Sequence, residues 1–119
     1  MTTQAPSTTP WGLAQHSTTI AEGIVFVSTA SHGGFWLSDE RLAELPESIQ
    51  QPGSYEELRG WFEEDARASI VVLCFPEAFT LDRLTVRRAI DSCKFWAERS
   101  NIRDSQGYRD ALARYEANR

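Results

Sequence analysis

Apolar and polar side chains alternate over the first third of the chain, which is the period-two pattern of β-strands. Residues 18–21 and 24–29 are rich in β-branched side chains, and successive residues of the second segment face opposite sides. Glu22 and Gly23 lie between the two segments, at the spacing of a two-residue hairpin turn. The pattern therefore predicts a pair of antiparallel strands.

A second turn is predicted at Gly33 and Gly34, because paired glycines accept the positive φ angles that tight hairpin turns require. The apolar residues 35–37 then form a third strand. Residues 18–37 are thus predicted to form a three-stranded antiparallel meander.

From Ser38 onward the pattern changes to helical spacing. Ser38 is a typical N-cap for a short helix over residues 39–45, whose first turn is acidic and which Pro46 ends. Residues 50–53 have the composition of a loop.

A second helix is predicted to start at Tyr55, behind a capping box formed by Ser54 and Glu57, and to run to about Leu73. Residues 70–75 would also fit a buried strand. The helix is preferred because no turn residue interrupts the segment that precedes them.

Two further helices complete the prediction. Pro76 ends the preceding element, Thr80 caps the third helix, and Ser105 caps the last one. Strands followed by helices define an α+β fold, here an N-terminal three-stranded antiparallel meander packed against three to four helices. Residues 1–10 are predicted to be a flexible arm, and residues 11–119 a single globular domain.

Composition agrees with one domain, since 119 residues with 41% apolar side chains can bury a core without disulfides or metals. The sequence contains no apolar run long enough to span a bilayer, and its first residues lack the apolar segment of a secretory signal. We therefore expect a soluble, cytoplasmic protein.

The formal net charge of −5 is unevenly distributed. Between residues 39 and 65 there are nine acidic side chains and two arginines, whereas the residues after 65 carry seven acids and ten bases. Proteins that bind nucleic acid usually present a basic face, so the acidic middle argues against direct binding to DNA or RNA.

Four residues supply the side chains of a possible zinc site, namely His16, His32, Cys74 and Cys93. Their spacing contains no close pair of ligands, so buried structural thiols are the preferred interpretation and no metal or cofactor is predicted.

The segment around Ser31, His32, Gly33 and Gly34 has a composition that could support catalysis. Backbone amides at such a turn can bind an anion, and His32 could act as a general acid or base. An ordinary hairpin turn explains the same residues, so a small enzyme with a Ser31/His32 site is the alternative hypothesis and no catalytic residue is assigned.

Consecutive acids are the other candidate site. On a helix, Glu63, Glu64 and Asp65 would point about 100° apart, so they would form a solvated face unless the fold brought a histidine near them. Together with Glu56 and Glu57, and with His32, they are the predicted partner-binding residues.

Several short segments resemble an uncharacterised domain family of phage and plasmid proteins. They are the TPWG-x-AQH segment at residues 9–16, the GIVF-x-STASHGG segment at residues 23–34 and the EED triplet at residues 63–65. Further similarity is found at residues 37–38, 41–42 and 74–79. The resemblance covers residues 9–79 and implies an origin in a mobile element. It implies no activity and no catalytic residue.

Small acidic phage proteins are often inhibitors of host defence, including anti-CRISPR proteins. We therefore expect a non-enzymatic, protein-binding inhibitor of this type. Its partner would be a host or phage protein, for example a nucleic-acid-binding defence complex whose basic groove accepts the carboxylates.

Overall fold

A computed structural model describes residues 4–50, 60–63, 67–79, 88, 90–92, 94–95, 98–99 and 106–117 of the chain. The predicted caps Thr80 and Ser105, the start of the predicted second helix at Tyr55, and Cys93 lie outside these residues.

The described strands form two antiparallel sheets. A two-stranded sheet pairs β1 (Thr8–Thr9) with β2 (Gly12–Leu13). The main sheet has the order β3-β4-β5-β6. Its strands are β3 (His16–Ala21), β4 (Ile24–Ser28), β5 (Gly33–Leu37) and β6 (Trp61–Glu63). The chain is thus an α+β domain, but with sheets of two and four strands instead of a three-stranded meander.

The first hairpin confirms the predicted turn at Glu22 and Gly23, where Gly23 has a φ of 80°. Regular structure begins earlier than expected, because Thr8 and Thr9 lie within the predicted arm over residues 1–10 and pair with β2.

The turn predicted at Gly33 and Gly34 is wrong. Both glycines lie within β5, and the chain reverses at residues 29–32, where the Thr29 N–H donates to the His32 carbonyl at 2.7 Å. Gly34 is required for close packing instead of a turn, because a Cβ there would lie 2.5 Å from the Phe62 carbonyl oxygen of the neighbouring strand.

The continuous second helix to Leu73 is also wrong. Trp61–Glu63 forms β6, the fourth strand, and helix α3 begins only at Ala68 and ends at Cys74. Gly60, with a φ of 84°, precedes the strand in a conformation that a helix does not contain. In β6, Phe62 faces the helices while Trp61 faces the opposite side, which is the alternation of a sheet with two covered faces.

The remaining described helices are short except for the last. They are α1 (Asp39–Ala43), α2 (Glu47–Gln50), a 3-10 turn at Pro76–Phe79 and α4 (Gln106–Ala117). The first predicted helix is confirmed with its Ser38 cap, whereas Gln50, predicted in a loop, belongs to α2. Residues 88, 90–92, 94–95 and 98 are also helical. None of the helices in the described part of the chain is long and apolar enough to cross a membrane.

The larger core lies between the main sheet and the helices. All seven residues of α3 are buried there, against sheet residues such as Phe35 and Phe62 and against Tyr108 and Ala111 of α4. A fully buried seven-residue helix explains why the sequence of residues 70–75 also fitted a buried strand, because periodicity cannot separate the two.

The smaller core covers the other face of the sheet. Val25, Val27 and Trp61 are buried there beneath the N-terminal segment, which contributes Ala5, Trp11 and Ala14, and Trp36 packs alongside. The Trp11 and Trp61 rings meet edge to face, with centroids 5.6 Å apart.

One buried ring connects several helices. The Phe75 side chain lies beneath the guanidinium groups of Arg41 and Arg114, at 5.1 and 5.7 Å from the ring centroid. Arg41 also donates to the Glu22 carbonyl at 2.8 Å, and Arg114 donates to the Glu44 carbonyl. The ring thereby links α1, the end of α3, α4 and the β3–β4 turn.

Candidate functional site

The turn at residues 29–32 is organised by one hydroxyl group. The Thr29 Oγ1 accepts hydrogen bonds from the backbone N–H groups of Ser31 at 3.4 Å and His32 at 3.1 Å, and it donates to the His32 carbonyl at 3.0 Å. Threonine side chains often close turns in this way. The backbone of His32 is therefore fixed, and its side chain is presented at the surface.

The fold brings together two of the predicted partner-binding residues. The His32 Nδ1 lies 3.5 Å from Glu63 Oε1, and the two side chains are 50% and 40% exposed. This contact is an ion pair when the imidazole is protonated. Residues 32 and 63 meet because β5 and β6 are neighbours, with Gly34 opposite Glu63 in the register.

Gly34 and Trp11 fix the position of this pair. The Gly34 Cα carries no side chain, so the Trp11 ring packs directly over it, where a Cβ would lie 2.5 Å from Trp11 Cη2 and 3.0 Å from Glu63 Cα. In the sequence, Trp11 is the first residue of the predicted globular domain, where a buried indole would be expected in the core. Its role at this site could not be read from the sequence, because nothing in the pattern placed Trp61 and Glu63 on a strand.

The anion-binding turn predicted for a catalytic site is not formed. The amides of Ser31 and His32 are bonded to the Thr29 hydroxyl, Gly33 is paired with β4, and Gly34 lies between β4 and β6. An oxyanion site needs free N–H groups that converge on one point. In the described turn, the Ser31 and His32 amides are instead bonded to the Thr29 hydroxyl, and the two glycines belong to strand β5.

A shallow cleft of about 430 Å³ lies at the other end of β5. Its lining includes Trp36 and Gly60, and its rim carries the exposed carboxylates of Asp39 and Glu40 at the start of α1. The remaining lining residues are Gln4, Leu37, Ser38 and Leu42. The cleft therefore has one aromatic side chain in its lining and an acidic rim.

The sequence predicted an acidic partner-binding surface formed by five acids, and the structure describes one of them. Glu63 lies on β6, whereas Glu56, Glu57, Glu64 and Asp65 lie outside the described residues. Within the described ranges, no group of three or more His, Cys, Asp or Glu side chains is arranged to hold a metal ion.

Two titratable groups outside this surface have shifted pKa values. Burial raises the pKa of the Cys74 thiol to about 11, with a smaller opposing influence from Arg114. Hydrogen bonds from Ser48 at 2.7 Å and from Gln106 lower the pKa of Asp110. The first shift makes Cys74 a poor nucleophile, because the thiolate is the reactive form.

These features define a class: a small α+β domain whose main antiparallel sheet is covered by helices on one face and by its own N-terminal segment on the other. The chain belongs to the family described as Domain of unknown function (DUF7007), whose model matches residues 4–106. This agrees with the expected membership in an uncharacterised domain family. Comparisons with curated proteins and with solved structures gave no significant match.

Proposed function

We propose that this domain is a non-enzymatic, protein-binding inhibitor of a host defence complex, of the anti-CRISPR type, encoded by a mobile element and acting in the cytoplasm. In this proposal its carboxylates occupy a basic groove that would otherwise bind nucleic acid. Direct nucleic-acid binding by the domain itself forms no part of the mechanism.

The observation that supports this proposal is that acidic side chains between residues 39 and 63 are exposed to solvent. The Glu63 carboxylate lies on a three-residue edge strand and is 40% exposed, and Asp39 and Glu40 are exposed at the rim of the cleft. A catalytic acid or base normally lies in a concave, water-excluding pocket. Exposed carboxylates are better suited to contact a large partner.

Arg41, one of the two arginines in the acidic stretch, pairs with Glu44 and not with Asp39 or Glu40 in the described contacts. The Arg41 guanidinium donates to the Glu22 carbonyl, lies 4.0 Å from the Glu44 carboxylate and packs over the Phe75 ring. Its contacts in the described part of the chain are thus with Glu22, Glu44 and Phe75, and the exposed carboxylates of Asp39 and Glu40 can contact a partner. Complementary charge of this kind accelerates association and makes it dependent on salt.

The test begins with capture of the target from a host lysate, followed by binding measurements with the purified target at low and high salt. The test variant carries Glu→Lys at positions 56, 57, 63 and 64. The control carries the same reversals at Glu22, Glu77, Asp91 and Glu98, which are exposed acids elsewhere in the chain. Each replacement adds two charges, so both variants change the net charge from −5 to +3.

We expect the test variant to lose binding by at least about 100-fold at low salt, which corresponds to ~2.7 kcal/mol, while the control retains most of it. Equal losses in the two variants would mean that only the total charge matters, and would refute a specific acidic surface. Unchanged binding in the test variant at both salt concentrations would refute the mechanism.

A small enzyme with a Ser31/His32 site remains the second candidate, because a carboxylate beside an imidazole can orient it for proton transfer. His32→Ala separates the two hypotheses. Loss of an activity with unchanged melting temperature and unchanged partner binding would favour the enzyme. Loss of partner binding alone would assign His32 to the interface, and no change in either would exclude both roles.

A further inference from the structure

Among the strands that the structure describes, β3 forms an open edge of the main sheet. It lies at one end of the strand order and pairs with β4 on one side only. Its first four residues, His16 to Thr19, are exposed, while Ile20 and Ala21 pack against the core. An edge of this kind presents unpaired N–H and C=O groups, which another extended strand can bind.

This edge lacks the features that usually prevent pairing. Proteins protect edge strands with charged side chains, prolines or very short strands. Strand β3 contains no proline, and the first Asp, Glu, Lys or Arg in the whole sequence is Glu22, directly after the strand. The opposite described edge, β6, has only three residues and carries Glu63.

We propose that β3 is a self-association surface, at which two copies of the chain pair their β3 strands antiparallel about a two-fold axis. The axis would pass between the two Thr18 residues, so that Thr18 lies opposite Thr18, and Ser17 opposite Thr19, of the second copy. The two main sheets would then form one continuous eight-stranded sheet.

A second copy is the favoured occupant because the edge is complementary to itself. Hydroxyl-bearing side chains directly opposite each other form favourable cross-strand pairs, and the proposed register brings no like charges together. The acids responsible for the net charge begin at Glu22, outside the paired residues. The pairing would also stop at a dimer. Both β3 edges are paired with each other, and the short strand β6 at the opposite edge carries the charged Glu63 and does not resemble β3.

The expected dimer is weak. Four or five paired residues per copy bury much less than the roughly 1,200 Å² of a standard stable interface, which places the contact among transient ones. Sedimentation should therefore be measured on the full chain from about 10 μM to about 1 mM, a range centred on the affinities expected for such interfaces.

Thr18→Lys is the test variant, because it places two ammonium groups across the axis. Ser31→Lys is the matched control, since it adds the same charge at an exposed turn outside β3. We expect Thr18→Lys to weaken dimerisation by about tenfold or more and Ser31→Lys to leave it nearly unchanged, with both variants retaining the native circular dichroism spectrum.

Hydrogen exchange provides a second measurement that does not depend on a substitution. Raising the protein concentration should slow exchange at amides of residues 16–19 selectively. A monomer at every concentration would overturn the proposal, as would a dimer that Thr18→Lys does not weaken. A monomeric protein whose β3 amides are protected only by a captured partner would assign the edge to that partner and also refute self-association.

Discussion

Gly34→Ala tests how the sheet and the N-terminal segment are held together. The added methyl group would lie 2.5 Å from both the Phe62 carbonyl oxygen and Trp11 Cη2, and 3.0 Å from Glu63 Cα. Ordinary contacts of a Cβ begin at about 3.4 Å, so its neighbours must move by roughly an ångström. The indole can move away, but the carbonyl group belongs to the paired strand β6.

The size of the effect follows from these contacts. Overpacking a closely packed site costs about 1 to 3 kcal/mol, and contact with a backbone group favours the upper end because no side-chain rotation relieves it. For a domain of this size, about 3 kcal/mol corresponds to a decrease in melting temperature of roughly 10 °C. The displacement of β6 should also separate Glu63 from His32.

The free energy of unfolding is best measured by urea denaturation followed by circular dichroism. Fluorescence is less suitable, because the comparison includes the variant Trp11→Ala, which lacks one tryptophan. In a Trp11→Ala background, one of the two closest contacts is absent, so Gly34→Ala should cost about 1 kcal/mol less than in the wild-type chain. A loss below about 0.5 kcal/mol for Gly34→Ala alone would refute the close-packing argument. Strictly additive effects of the two substitutions would exclude the Trp11 contact as part of the cause.

Further outcomes are expected at three sites. Ser38→Ala should decrease the free energy of unfolding by about 1 kcal/mol, because it removes the N-cap hydrogen bond of α1; an unchanged urea midpoint would contradict this. With Cys93 replaced by Ser, the Cys74 thiol should react with iodoacetamide far more slowly in the folded chain than in urea at pH 8, and equal rates would be inconsistent with its burial. Because the folded pKa of about 11 exceeds the reference value of 9.0, the stability contributed by neutral Cys74 is complete below pH 9 and is lost as the pH rises toward 11. Ser48→Ala should raise the pKa of Asp110 toward its usual value, which NMR titration can follow. In the wild-type chain, the contribution of the Asp110 carboxylate to stability is lost as the pH falls through its lowered pKa.

Local signals predicted the elements that local interactions determine. The alternation at residues 24–28, the turn at Gly23 and the Ser38 cap each depend on neighbours within a few positions, and all three are present in the structure. The last helix is likewise found, at Gln106–Ala117.

Long-range packing determined what the sequence could not predict. Gly33 and Gly34 have the composition of a turn, and only the approach of β6 and Trp11 explains why glycine is needed in the strand. Residues 61–63 are too few to show a period, so their pairing with β5 was not visible. The proximity of His32 and Glu63 depends on that pairing, which is why the sequence identified both residues but not their contact.

Helix α4 determines where the folding unit of this chain ends. The family model matches residues 4–106, whereas α4 begins at Gln106 and inserts Tyr108 and Ala111 into the core beside α3. Its Arg114 also lies over the Phe75 ring. Amides in the middle of α4 should therefore exchange with solvent only when the whole core opens, and not by fraying of a separate terminal helix. The cooperative unit thus extends about ten residues beyond the matched segment, and a chain cut at the match boundary would expose the buried helix α3.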